Sequence, residues 1–254
     1  MLRKKIIAAN WKMNKTPSEG VVLTQNLLKQ IGDFDRADLV ICPPFTSLAS
    51  VRNLIEEHSH LSLGAQNLFY EKQGAYTGEI SAEMLRDVGC SYVIIGHSER
   101  REYFLETDEV VNHKIKTALA ANLKPIVCVG EKLAVREANG AETLVRNQIQ
   151  KAFCDLSDEA MRHIIVAYEP VWAIGTGKNA TPAQAQEVHS WIRDQIAKQF
   201  SAKVADQIRI QYGGSVKPEN AKELLNQSDV DGALVGGASL EAGSFSAIVK
   251  NSCL

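Results

Sequence analysis

AYEPVWAIGTGKNATPAQAQEV, residues 167–188, begins in an apolar run and ends in a helical pattern, with Glu169, Trp172 and a Gly-Thr-Gly-Lys run (175–178) between them. The helix start is well marked. Thr181-Pro182-x-Gln184 combines a capping box with proline at the first helical position. Read loosely, Gly175, Gly177 and Ala180 fit the G-x-G-x-x-G/A fingerprint of dinucleotide-binding folds, and Gly177-Lys178 resembles the end of a P-loop. Both readings fail on spacing. A fingerprint glycine follows its strand almost at once, whereas Gly175 stands well past Glu169; a P-loop needs glycine where Trp172 stands and Ser or Thr at Asn179. What remains is a strand, a long loop and a capped helix. The loop carries an apolar tip, Val171, Trp172, Ala173 and Ile174, whose exposure costs free energy unless the loop closes over something.

This strand-then-helix unit repeats along the chain. Apolar runs recur at KIIAAN (near residue 5), DLVICPP (38), LSLGAQ (61), SYVIIGH (91), PIVCVGE (125), HIIVAYEP (163), QIRIQYGG (207) and VDGALVGG (230). They read as buried strands. Helical spacings lie between them, as in Val21, Leu23, Leu27, Leu28 and Ile31, or Val188, Trp191, Ile192 and Ile196. A second capping box with proline, Thr16-Pro17-x-Glu19, opens the first helix. Continuous apolarity means strands covered on both faces, hence a parallel sheet. Eight such units in 254 residues predict an α/β fold with a single closed (β/α)8 barrel, one domain over 1–254, rather than an open doubly wound sheet.

Composition excludes several functions. Lys and Arg total 28 against 30 Asp and Glu, a net charge of −2 with no long run of one sign, so no nucleic-acid footprint is expected. No segment has the apolar length of a membrane span, and the N-terminal apolar run, Ile6 to Ala9, is too short for a signal peptide. Five cysteines without C-x-x-C pairing fit reduced thiols and a cytoplasmic location. The histidines offer no metal-ligand set; His58-x-His60 reads as a helix end near solvent.

Polar residues foreign to a strand core stand at the C-terminal ends of the runs: Asn10 and Lys12 after the first, His97 after the fourth, Glu131 after the fifth and Glu169 after the sixth. Gly213, Gly214 and Ser215 follow the seventh, and Gly236 and Gly237 the eighth. In a βα barrel these ends share one rim, so distant residues converge on one mouth. Taken singly, each has an ordinary explanation. Glu169 suits a carboxylate capping the next turn, His97 a satisfied strand-end histidine, and Lys12 a solvated surface charge.

Together the blocks NWKMN (10–14), GAYTGEIS (74–81), IIGHSERR (94–101), VCVGE (127–131), AYEPVWAIGTGK (167–178), QYGGSV (211–216) and LVGGASL (234–240) resemble the triosephosphate isomerase family, in family order and over nearly the whole chain. The resemblance implies interconversion of dihydroxyacetone phosphate and glyceraldehyde 3-phosphate through an enediolate, without cofactor or metal. It implies Glu169 as the base, His97 as the electrophile toward the carbonyl oxygen, and Lys12 as positive charge near the phosphate and the enediolate. It further implies that Asn10 positions substrate, that Ser215, Gly236, Gly237 and, on lid closure, Gly175 meet the phosphate, and that Glu99 contacts Lys12. Ser98 near a helix cap suggests that the positive helix end keeps His97 neutral, a form of pKa tuning for which this family is itself a known example. Glu131 and Cys128 read as structural. The long segment 66–81 implies a homodimer in which Thr77 approaches the other subunit's active-site loop, although the sequence equally permits a surface loop.

Overall fold

A computed structural model describes residues 3–173 and 180–253. Its strands are β1 (Lys5–Asn10), β2 (Ala37–Cys42), β3 (Leu61–Ala65), β4 (Tyr92–Ile95), β5 (Lys124–Val129), β6 (Ile165–Tyr168), β7 (Arg209–Tyr212) and β8 (Gly232–Val235). Each expected apolar run supplies one strand. All neighbours pair in parallel in sequence order, and β8 returns to β1 through the register Ile6↔Gly232 to Ala9↔Val235, closing the barrel. The α-helices are α1 (Pro17–Ile31), α2 (Leu48–Ile55), α3 (Ala82–Asp87), α4 (Ser98–Tyr103), α5 (Asp108–Ala120), α6 (Leu133–Glu137), α7 (Ala141–Ala152), α8 (Asp158–Met161), α9 (Pro182–Gln199), α10 (Ala202–Gln207), α11 (Pro218–Leu225) and α12 (Ala242–Asn251).

Two apolar layers explain why the strands are apolar without alternation. Ile6, Ala8, Val40, Cys42, Ile94, Ile126, Cys128, Ile165, Ala167 and Leu234 belong to one buried cluster. Their strand neighbours, such as Ile7, Ala9, Ile41, Val93, Val127 and Val166, belong to a second, shared with the helices. Side chains alternate across a strand, so the first set fills the barrel and the second packs beneath the helical ring. The alternation also aims the site. Asn10 continues the inward series Ile6 and Ala8, and Glu169 continues Ile165 and Ala167, so both polar ends turn toward the mouth.

Both capping boxes form: Thr16 accepts from the Glu19 amide and Thr181 from the Gln184 amide, with the reciprocal bonds present. Each such cap stabilises its helix start by about 1 kcal/mol. The α9 helix is also anchored laterally, because its Arg193 pairs with Asp229 at 2.6 Å and Asp231 at 2.8 Å. No helix among the described residues is long and apolar enough to cross a membrane.

Candidate active site

A cavity of about 430 Å³ opens at the C-terminal ends of the strands, and Asn10, Lys12, His97, Glu169, Ser215, Gly236 and Gly237 all line it. These residues come from the ends of β1, β4, β6, β7 and β8. Barrel closure brings them to one place; none is a sequence neighbour of the whole set. Gly175 lies outside the described residues, as do Ile174 and the rest of the segment to Asn179. Thr77 stands in the exposed segment 71–79 and does not line the cavity.

Lys12 has a left-handed backbone, with φ at 52°. For a residue with a side chain this conformation costs about 1–3 kcal/mol and persists only when neighbours enforce it. Two side-chain amides do so. Asn10 Oδ1 accepts from the Lys12 amide at 3.0 Å, and Gln66 Nε2 donates to the Lys12 carbonyl at 2.9 Å. The ammonium then reaches Glu99 Oε1 at 2.6 Å. A Cβ at position 236 would stand 3.3 Å from Lys12 Cε, so Gly236 leaves room for the lysine stem across the cavity floor.

Glu169 is buried, and its carboxylate is satisfied on all sides. Ser98 donates its amide at 2.8 Å and its hydroxyl at 3.1 Å, while His97 Nε2 lies 2.9 Å from Oε1. Burial pushes the carboxyl toward its neutral form, but His97 and the two Ser98 donors outweigh it, and the pKa falls below the ordinary carboxylate value. In this arrangement Glu169 is a stabilised anion rather than a strengthened base.

His97 is the N-cap of α4; its Nδ1 accepts the Glu99 amide at 3.2 Å. A ring nitrogen accepting an N–H carries no proton, so the Nε2–H tautomer faces Glu169. Here the structure differs from the expectation of a helix end that lowers the His97 pKa. Burial does pull toward the neutral ring, but the adjacent Glu169 carboxylate overrides it and lifts the pKa above the ordinary value. That lift is conditional on the carboxylate staying against Nε2.

Two polar residues matter more than their sequence suggests. Ser98, the first residue of α4, holds the Glu169 carboxylate from a position 71 residues away. Its only sequence signal is its place beside His97 on the rim. Glu131 is fully buried, and Oε1 accepts from Trp172 Nε1 at 2.8 Å, Tyr168 hydroxyl at 3.0 Å and Arg136 at 3.0 Å. Arg136 also lies over the Trp172 ring at 5.0 Å. The segment Val171–Ala173 is therefore docked through its tryptophan, with Ala173 buried rather than exposed. Cys128 is buried beside Glu169; desolvation and that carboxylate raise its thiol pKa, which keeps it protonated and unsuited to nucleophilic work. Among the described residues no group of three or more His, Cys, Asp and Glu could hold a metal.

The model of the family described as triosephosphate isomerase matches residues 5–252. The chain belongs to the triosephosphate isomerase family. It is therefore an isomerase. Triosephosphate isomerase of Carboxydothermus hydrogenoformans is 53% identical over 251 residues, covering 99% of this chain and all of the relative. That of Chloroflexus aurantiacus is 52% identical over 98% of this chain and 99% of the relative, and that of Endomicrobium trichonymphae 54% over 99% and 100%.

Proposed function

We propose that this chain interconverts dihydroxyacetone phosphate and D-glyceraldehyde 3-phosphate by proton transfer through an enediolate, with Glu169 as base and His97 as proton donor to oxygen. One observation carries the assignment of roles: a carboxylate, an imidazole whose Nδ1 accepts the Glu99 amide, and an ammonium face one small cavity in a chain of this family. Glu169 takes a proton from the hydroxymethyl carbon, and the electron pair of that C–H bond becomes the enediolate double bond while the carbonyl electrons move to oxygen. His97 Nε2–H donates to that oxygen and recovers a proton from the neighbouring hydroxyl. Glu169 then returns its proton to the adjacent carbon. The balance is internal to the substrate, so the reaction calls for no oxidant or reductant.

Substrate must take the place of the Ser98 and His97 contacts that hold Glu169. Freed of these donors but still buried, the carboxylate becomes a stronger base; freed of the carboxylate, the buried His97 ring returns toward its neutral form. The Lys12 ammonium offsets the negative charge of phosphate and enediolate. Ser215, Gly236 and Gly237 supply the wall against which the phosphate lies, and Asn10 orients the substrate while bracing Lys12. Glu99 tethers Lys12 between turnovers.

On this reading the enzyme works in glycolysis and gluconeogenesis, in the cytoplasm, as one barrel domain that pairs with a second copy. Support for pairing lies in loops on the mouth side: Met13 after β1, Tyr76 after β3, and Phe104 and Leu105 after β4 are all exposed. Water-exposed apolar side chains on neighbouring loops favour association. Thr77, beside Tyr76, then belongs to the contact with the partner. A coupled assay with glyceraldehyde 3-phosphate, run with light scattering for solution mass, tests both parts. Saturable turnover by a dimer supports them; an inactive, folded chain contradicts the activity, and an active monomer contradicts the pairing.

A further inference from the structure

Gly130 is the first residue beyond β5, and both of its faces are occupied. A Cβ on it would stand 1.8 Å from the Glu169 carbonyl oxygen and 2.7 Å from the carbonyl carbon, so its backbone lies directly against the backbone of the proposed base. On its other side stands Gln148, a buried residue of α7. Gln148 Oε1 accepts from the Gly130 amide at 2.8 Å, and Gln148 Nε2 donates to the Gly130 carbonyl at 3.3 Å. One side-chain amide thus reads both polar groups of one residue, as a neighbouring strand would.

The clamped segment carries the reacting machinery. The Val129 carbonyl accepts the Glu169 amide at 2.8 Å, the Glu131 carbonyl accepts the Val171 amide at 3.1 Å, and the Glu131 carboxylate accepts the Trp172 indole at 2.8 Å. The base and the start of the lid both hang from residues 129–131. A cavity of about 270 Å³ is lined by Gly130, Gln148, Glu169, Ser98 and Val171.

We propose that Gln148 is a positioning residue for the proton transfer: by pinning Gly130 it fixes the backbone of Glu169 and the stem of the lid. The inference rests on Glu169 acting as the base. Gln148 does not line the cavity of Lys12, His97, Ser215, Gly236 and Gly237, so its loss should be felt in the chemical step and not in binding. A shift of about 1 Å in a reacting group costs on the order of 100-fold in rate, and a partly released segment is expected to cost about tenfold or more.

The test compares wild type, Gln148→Met, Gln148→Glu and Gln150→Met, the last an exposed control on the same helix. Met keeps the volume and removes both hydrogen bonds; Glu keeps the acceptor for the Gly130 amide and loses the donor. We expect kcat to fall about tenfold or more in Gln148→Met and about threefold in Gln148→Glu, with KM within about twofold in both. The kinetic isotope effect with dihydroxyacetone phosphate deuterated at the hydroxymethyl carbon should rise in both, because misplacement slows the step that breaks that bond. Gln150→Met should match wild type. Unchanged kcat and isotope effect in the Gln148 variants, or a loss carried by KM, would overturn the proposal. If Gln148→Met does not fold, Gln148→Glu decides alone, and wild-type values in it count against Gln148. Wild type without isomerase turnover would instead count against the functional reading itself.

Discussion

Shortening Glu169 by one methylene separates chemistry from binding more sharply than removing it. Glu169→Asp withdraws the carboxylate by about one C–C bond, roughly 1.5 Å. The Ser98 amide at 2.8 Å, the Ser98 hydroxyl at 3.1 Å and His97 Nε2 at 2.9 Å all end on this carboxylate, so a retraction of that size carries it beyond hydrogen-bond reach of them. The backbone does not advance to compensate. Its strand end is bonded to Val129, and a Cβ on Gly213 would stand only 3.0 Å from Glu169 Cγ, so the neighbourhood is already closely packed. With about 100-fold lost per ångström, kcat should fall between about 100- and 1000-fold, which is about 2.7 to 4 kcal/mol of transition-state stabilisation at 1.36 kcal/mol per tenfold. Ser215, Gly236 and Gly237 stay in place, so KM should remain within about threefold. Steady-state kinetics in a coupled assay, with circular dichroism to verify the fold, reads both constants. A kcat within about threefold of wild type, or a loss lying wholly in KM, refutes Glu169 as the base.

Ser98→Ala removes one donor that keeps the Glu169 pKa low. The active form of the free enzyme is the carboxylate, so the acid limb of kcat/KM should move to higher pH; a limb that stays or moves down contradicts the contact. The sign for stability is the same: a depressed folded pKa stabilises above the unfolded pKa and is lost as pH falls, and the variant should lose less on acidification. Lys12→Met deletes the ammonium that reaches Glu99 at 2.6 Å and should raise KM while lowering kcat by about tenfold or more; a normal value of either constant counts against a dual charge role. Lys114→Met leaves the buried Glu106 carboxylate with Arg100 as its remaining cation and Asn67 without its donor, and should cost about 3 kcal/mol in urea unfolding; a loss below about 0.5 kcal/mol refutes a structural role for that pair.

The barrel was legible because its physics is local. Burial on both faces makes each strand a continuous apolar run, and Thr16 and Thr181 mark helix starts within four residues of sequence. The rim followed from topology, since every strand end of a parallel barrel points the same way. What the chain concealed depends on contacts between distant segments. Ser98 reads as an ordinary helix-start serine until barrel closure sets it against Glu169, and Gln148 reads as one more polar helix residue until it meets Gly130. Glu131 reads as structural, but nothing in VCVGE announces that Trp172 will donate to it. The His97 ionisation differed for a similar reason: a helix end is visible in HSERR, but a carboxylate 72 residues onward is not. Lys12 carries a left-handed backbone that sequence associates with glycine or asparagine, enforced here by Asn10 and Gln66.

Isomerisation in deuterium oxide follows the proton that Glu169 carries. Purified chain, given unlabelled dihydroxyacetone phosphate and a trap for the aldehyde product, should turn over and place solvent deuterium on the carbon next to the new carbonyl, because a proton held on the Glu169 carboxylate exchanges before it returns. Glu169→Asp should slow that incorporation together with kcat. A product free of solvent deuterium would contradict a carboxylate whose proton exchanges before it returns, and a folded chain with no turnover would contradict the isomerase activity itself.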